Sequence, residues 1–236
     1  MSVEHRMHLI KNTEAVICPP FLFLPPLSHC SHYTRLGAQN MSWEAEGAFT
    51  GEVSPIHLNN LRVSYAILGH SERRLFFGET DSMVALKLYA ALKHKIIPIV
   101  CLGGAKNAQK DNMQKIVTKQ FNAAVKGVEK KDLPKIVFVY EPTWAISTTK
   151  NSVPAAGEHA RELIVHTQNL LAKKIGNQQK ARMTRILYGG TVNKNNVQQF
   201  AKFSEIDGAL VGAASLDPDN FWEIIKEFDR ESIHRP

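Results

Sequence analysis

Two residues of this chain stand where chemistry is easily done. Glu141 follows the run Ile136-Val137-Phe138-Val139-Tyr140, and His70 follows Tyr65-Ala66-Ile67-Leu68-Gly69. A carboxylate partly removed from water becomes a stronger base, and a neutral imidazole can polarise a carbonyl. Free N–H groups at the start of a helix disfavour an imidazolium, so a histidine that opens a helical turn suits the second role. A base and an electrophile together match proton abstraction next to a carbonyl. Each residue also has a plainer reading. Glu141 would be a carboxylate paired with a nearby Arg or Lys, and His70 a histidine that only caps a helix.

Two glycine-ended runs offer a further ingredient. "YGGTVNKNN" (188–196) and "LVGAASLDPDN" (210–220) each place glycine before a polar stretch and a helix. Close backbone approach and free N–H groups make an anion cradle. The alternative is a pair of tight turns that need glycine for geometry. Ser147, Thr148 and Thr149 follow Glu141 in a polar stretch that suits a water-excluding lid, or a plain surface loop.

The elements that must position these groups alternate. Buried-strand patterns occur in "AVICPPF", "RLGAQN", "YAILGH", "IIPIVCLG", "KIVFVYEP", "RILYGG" and "DGALVG". Helical patterns fall at roughly 79–94, 107–128, 154–174, 194–202 and 218–228, with Pro154 and Pro218 suited to first turns. Continuous apolar strands between helices mean a parallel sheet covered by helices. About seven such units are too many for a small doubly wound sheet, and its G-x-G-x-x-G signature is absent. The expected fold is an α/β TIM barrel of the (βα)8 type with the first β-strand missing, formed by residues 1–236 as a single domain. Val3, Met7 and Ile10 share a helical face, so the chain is expected to open in a helix. In such a barrel, the strand ends carrying His70, Glu141 and the two glycine runs gather on one face.

Composition narrows the partners. Of 236 residues, 44% are hydrophobic and 22% charged, which suits a globular chain with a real core. No apolar run is long enough for a membrane span, and "MSVEHRMHLI" lacks a signal core. The net charge of +7 comes from scattered lysines. Lys130-Lys131 and Lys173-Lys174 read as solvated, helix-like positions without an aromatic platform, so nucleic acid is not expected. Cys18, Cys30 and Cys101 are odd in number, widely spaced and without CxxC, which argues against disulfides and zinc. They read as buried apolar residues, and the cytosol is the default location. The histidines show no ligand spacing, and no metal is expected.

"GAFTGEVSP", "AILGHSERRLFFGETD", "YEPTWAIS", "ILYGGTV" and "DGALVGAASL", in this order, resemble the triosephosphate isomerase family. The resemblance implies interconversion of dihydroxyacetone phosphate and glyceraldehyde 3-phosphate through an enediolate, without a cofactor. Glutamate base and neutral histidine are a known pairing for this enzyme. By resemblance Glu141 is the base and His70 the electrophile, supported by Ser71 and Glu72. Ser147, Thr191, Gly212 and Ala213 match phosphate-binding N–H donors. Pro142, Thr143, Trp144, Ala145, Ile146, Ser147, Thr148, Thr149 and Lys150 match a closing lid. Thr50 matches the tip of a loop that enters a partner subunit, so the implied partners are a small phosphorylated triose and a second copy of the chain.

The departures from the family carry their own expectations. The family begins with a strand ending in Asn-x-Lys, whose lysine stabilises developing negative charge; neither strand nor motif is found here. Glu72 resembles the carboxylate that pairs with that lysine. Gly104 stands where glutamate is usual, Ser147 and Thr149 where lid glycines are usual, Ala213 for glycine and Thr191 for serine. The expected activity is therefore weak or absent, and the dimer interface incomplete. The alternatives are a non-catalytic phosphate-binding or interaction protein on a degenerate barrel, or the truncated product of an ordinary isomerase gene.

Overall fold

The computed structural model describes residues 3–105, 108–142 and 157–232. In chain order the elements are α1 (Val3–Arg6), β1 (Val16–Ile17), α2 (Leu24–Leu27), β2 (Arg35–Ala38), α3 (Pro55–Asn60), β3 (Tyr65–Leu68), α4 (Ser71–Phe76), α5 (Asp81–Lys93) and β4 (Ile97–Leu102). They continue with α6 (Met113–Ala124), β5 (Val137–Tyr140), α7 (Gly157–Ile175), α8 (Gln178–Arg182), β6 (Ile186–Tyr188), α9 (Gln198–Ala201) and α10 (Pro218–Ser232).

The six strands pair in sequence order, all parallel. Tyr188 bridges onward to Ala209, also in parallel. Helices cover the outside, which makes this the curled parallel sheet of an α/β barrel. Alternation along the strands builds two cores. Ala66, Leu68, Val100, Leu102, Phe138 and Tyr140 face the helices. Tyr65, Ile67, Ile99, Cys101, Val137 and Val139 face the barrel interior. Each large apolar side chain so buried contributes about 1.5–3 kcal/mol, which is why these strands read as unbroken apolar runs.

Local sequence sets several element ends. The Thr80 side chain caps α5 by accepting from Met83 N–H at 3.2 Å. Ser54 and His57, on either side of Pro55, form a capping box at the start of α3. The expected N-terminal helix is present but short, followed by a tighter turn at Met7–Leu9. Val3, Met7 and Ile10 do share a face, packed with Ala15 against Trp222 and Ile225 of α10.

Other details depart from the sequence reading. "DGALVG" makes only the single bridge at Ala209, and "AVICPPF" only two strand residues. Each lies at an open side of the sheet, where one neighbour supplies half of the ladder. Among the described residues β1 pairs with β2 alone. A cavity of about 360 Å³ lies there, lined by Val16, Ile67, Leu187 and Leu210. At one end Glu14 accepts from Tyr65 Oη, from Arg185 at 3.4 Å and from Arg35 at 3.2 Å. Lys130 and Lys131 sit in a turn, not a helix, while Lys173 and Lys174 lie exposed at the end of α7. Cys101 is buried as expected, but Cys18 is only partly so and Cys30 is exposed in the turn after α2. Among the described residues no helix is long and apolar enough to cross a membrane, and no cluster of metal-ligating side chains occurs.

Candidate functional site

β3 and β5 deliver His70 and Glu141 to the same end of the sheet. His70 is the residue before α4 and Glu141 the one after β5. They meet: His70 Nε2 lies 3.0 Å from Glu141 Oε1. Glu141 is buried, and its second oxygen accepts the Ser71 N–H at 3.0 Å. His70 Nδ1 accepts from the Glu72 N–H at 3.3 Å. A nitrogen that accepts cannot carry the proton, so the bonding pattern assigns the proton to Nε2, where it points at the carboxylate.

Two influences oppose one another at His70. Burial pushes the imidazole down, but the hydrogen bond and charge of Glu141, with Glu72 and Glu79 behind it, outweigh this and hold its pKa above 6.5. The helix start alone would keep it neutral, as the sequence suggested; the nearby carboxylate is what reverses the direction. Cys101 closes the pair from the barrel interior. Burial, and then the charge of Glu141, push its thiol well above the ordinary range, so it stays protonated.

The turn carrying His70 is braced from behind. Gly69 N–H donates to Glu79 Oε2 at 3.2 Å, and Glu79 Oε1 pairs with Lys87 Nζ. Lys87 donates also to Asn40 Oδ1 at 2.8 Å. Arg74 donates to the Gly69 carbonyl at 2.7 Å and to Asp81 at 2.6 Å. The sequence reading singled out neither Glu79 nor Lys87. The available signal was Lys87 on the buried face of α5, one helical turn from Val84 and beside Leu88.

The other expected residues fall around this pair unevenly. Ser71 is buried, and its Oγ has no hydrogen-bond partner among the described residues. Glu72 projects outward, its carboxylate 3.8 Å from His70 Nδ1. Gly189 lets β6 come close: a Cβ there would meet Glu141 Cγ at 2.9 Å. Thr191 follows, its carbonyl held by Asn196 Nδ2 at 2.9 Å. Gly212 and Ala213 are exposed and open a short turn of 3-10 helix, Ala213–Leu216, with Ser215 bonded to the Gly212 carbonyl. The bridge from Tyr188 to Ala209 puts that segment beside β6. Pro142 is buried next to Glu141. The rest of the expected lid, Thr143 to Lys150 with Ser147, lies outside the described residues.

A sequence model of the family described as triosephosphate isomerase matches residues 2–228. Curated relatives agree. The chain is 44% identical to the triosephosphate isomerase of Dictyoglomus turgidum over 216 residues, 90% of this chain and 85% of the relative. It is 43% identical to that of Caldanaerobacter subterraneus subsp. tengcongensis over 228 residues, 94% of this chain and 90% of the relative. The triosephosphate isomerase of Clostridium tetani is 41% identical over 228 residues, 94% of this chain and 88% of the relative.

Proposed function

The chain belongs to the triosephosphate isomerase family, and from that premise we propose that it interconverts dihydroxyacetone phosphate and glyceraldehyde 3-phosphate with a low turnover. The observation that carries this is the contact between His70 Nε2 and Glu141 Oε1 at the ends of β3 and β5. Glu141 takes the proton from the carbon next to the substrate carbonyl. His70 turns its Nε2–H from Glu141 to the carbonyl oxygen and supports the negative charge of the enediolate. His70 gives its Nε2 proton to that oxygen and takes the proton of the adjacent hydroxyl, and Glu141 returns its proton to the carbon that was the carbonyl, so that carbonyl and hydroxyl exchange places. The reaction is redox-neutral within the substrate, so no cofactor enters it.

Thr191, Gly212 and Ala213, together with Ser147, are proposed to offer N–H groups to the phosphate, with Pro142 to Lys150 as lid. Their neighbours support this: Gly189 packs against the base, and the Ala209 segment runs beside β6. The substrate's phosphate suits a chain of net charge +7. A cytoplasmic location and a homo-oligomer with an incomplete family interface belong to the same proposal.

The low turnover rests on the partners of Glu141. Among the described residues they are His70, the Ser71 N–H and the Cys101 thiol, with no lysine or arginine. The buried cations around this network are engaged elsewhere, Lys87 by Glu79 and Asn40 and Arg74 by Asp81 and the Gly69 carbonyl. A missing electrostatic catalyst of this kind costs about a hundred- to thousandfold in rate. Turnover of glyceraldehyde 3-phosphate by the purified chain and by Glu141→Gln tests the reading. The expected result is slow isomerisation that Glu141→Gln abolishes; equal, background-level rates would sink it.

A further inference from the structure

The exit of β4, Gly103-Gly104, runs behind the base and the histidine and is pressed from both sides. A Cβ on Gly103 would meet the Glu141 carbonyl oxygen at 2.5 Å. One on Gly104 would meet Ser71 Cα at 2.7 Å. The backbone that carries the base and the turn that carries the histidine are thus both seated on these two residues. Gly103 has φ +109, a conformation that glycine adopts without strain and that other residues rarely take.

One side chain holds it. Gln120 projects from α6 into this turn and is only 6% exposed. Its Oε1 accepts the Gly103 N–H at 2.7 Å, and its Nε2 donates to the Gly104 carbonyl at 3.0 Å. The reversed amide would set donor against donor and acceptor against acceptor, so the orientation is fixed by its partners. No other type of side chain of this length offers both a neutral acceptor and a neutral donor. Gly103 and Gly104 are themselves buried, with little access to water in place of the amide.

We propose that Gln120 is a positioning residue for the active pair, holding the Gly103-Gly104 turn as the common seat of Glu141 and Ser71. This rests on the reading of Glu141 and His70 given above. Remove the amide, and the Gly103 N–H and the Gly104 carbonyl each lose a hydrogen bond inside a buried turn. The turn relaxes, Ser71 moves, and its N–H leaves Glu141 Oε2. The Glu141–His70 contact loosens with it. Displacements of about 1 Å at reacting groups cost on the order of a hundredfold in rate.

The test reads His70 directly, by NMR titration of its imidazole in the full chain. The carboxylates acting on it are Glu141, Glu72 and Glu79, so displacement of Glu141 lowers its midpoint. Gln120→Met is expected to lower that midpoint by about half a unit, roughly threefold in proton affinity. It is also expected to reduce kcat about tenfold or more, with KM changed by less than about twofold. Phe121→Leu is the control. It loosens the packing of Phe121 on Phe138, 5.4 Å between ring centres, without touching the turn, and should leave the midpoint in place. If Gln120→Met does not fold, Gln120→Asn is read in the same way, since its amide is one methylene short of the turn and it adds no charge near His70. An unmoved midpoint, or an equal movement in Phe121→Leu, overturns the proposal. A wild-type chain without turnover overturns only the catalytic reading, and the midpoint still decides for Gln120.

Discussion

His70 and Glu141 are bound to one another, Nε2 to Oε1 at 3.0 Å, while His70 Nδ1 rests on the Glu72 N–H. The base and the electrophile are therefore each other's partners before substrate arrives. A carbonyl oxygen that takes the Nε2–H frees Glu141 from the same contact. The Ser71 N–H is the other tether, on Glu141 Oε2. The two tethers hold the carboxylate at the end of β5 at the cost of occupying both its oxygens.

The first prediction concerns pH. The pKa of His70 is raised above 6.5, so the pair stabilises the fold fully below that value and loses this contribution as pH rises through the folded-state pKa. Glu141→Gln removes the attraction. The stability difference between wild type and Glu141→Gln in urea is expected to be larger at about pH 5.5 than at about pH 8.5. A difference that grows with pH would contradict the assignment.

Gly104 allows a purely steric test of the seat. Its backbone lies outside the left-handed region, so Gly104→Ala adds no strain in φ, yet its Cβ would press on Ser71. The expected cost is about 1–3 kcal/mol in urea unfolding, from the displacement of Ser71. Gly51→Ala is the opposite case: φ is +88 and the space is open. It should cost about 1 kcal/mol from backbone strain and leave turnover unchanged.

Much of this site was legible in the sequence because strands in a parallel barrel are buried on both faces. "YAILGH" and "KIVFVYEP" announced where β3 and β5 end, and thus where His70 and Glu141 stand. The glycines after β6 were legible for a similar reason, since only a missing Cβ lets Gly189 approach Glu141. What was not legible were partners far apart in sequence. Gln120 reaches back from α6 to Gly103, and Lys87 reaches Asn40 across a sheet-to-helix contact. Periodicity marks such positions as buried but cannot name their partners. The direction of the His70 shift was hidden likewise, because it depends on a carboxylate brought in by folding.

Lys87 supplies the next prediction. It is 2% exposed and pairs with Glu79, which also accepts from the backbone of Gly69. Lys87→Met leaves the buried Glu79 carboxylate to Arg73, whose Nε lies 3.4 Å from Oε2, and is expected to cost about 3 kcal/mol in chemical unfolding. Glu79→Gln added to Lys87→Met removes the stranded charge while keeping an acceptor for Gly69, and should recover part of that loss. Strictly additive losses would show that the two side chains are not energetically coupled.

Glu4 ties α1 to the entry of β2. Its carboxylate accepts from the N–H groups of His32, Tyr33 and Thr34 and from the Thr34 hydroxyl, at 2.5 to 3.0 Å. Burial raises its pKa, but these hydrogen bonds outweigh it and leave the group below 4.5. A depressed carboxylate stabilises above its ordinary value and loses that contribution as pH falls through the folded-state pKa. Acid should therefore loosen the Val3–Ile10 segment, which shares the cluster of Met7 with Trp222, ahead of the barrel. Glu4→Gln should bring that loosening to neutral pH. Amide hydrogen exchange resolved by segment provides the measurement: faster exchange at His32 to Thr34 is expected, with β3 to β5 unchanged. Equal acceleration throughout would mean that Glu4 supports the whole fold and not this one attachment.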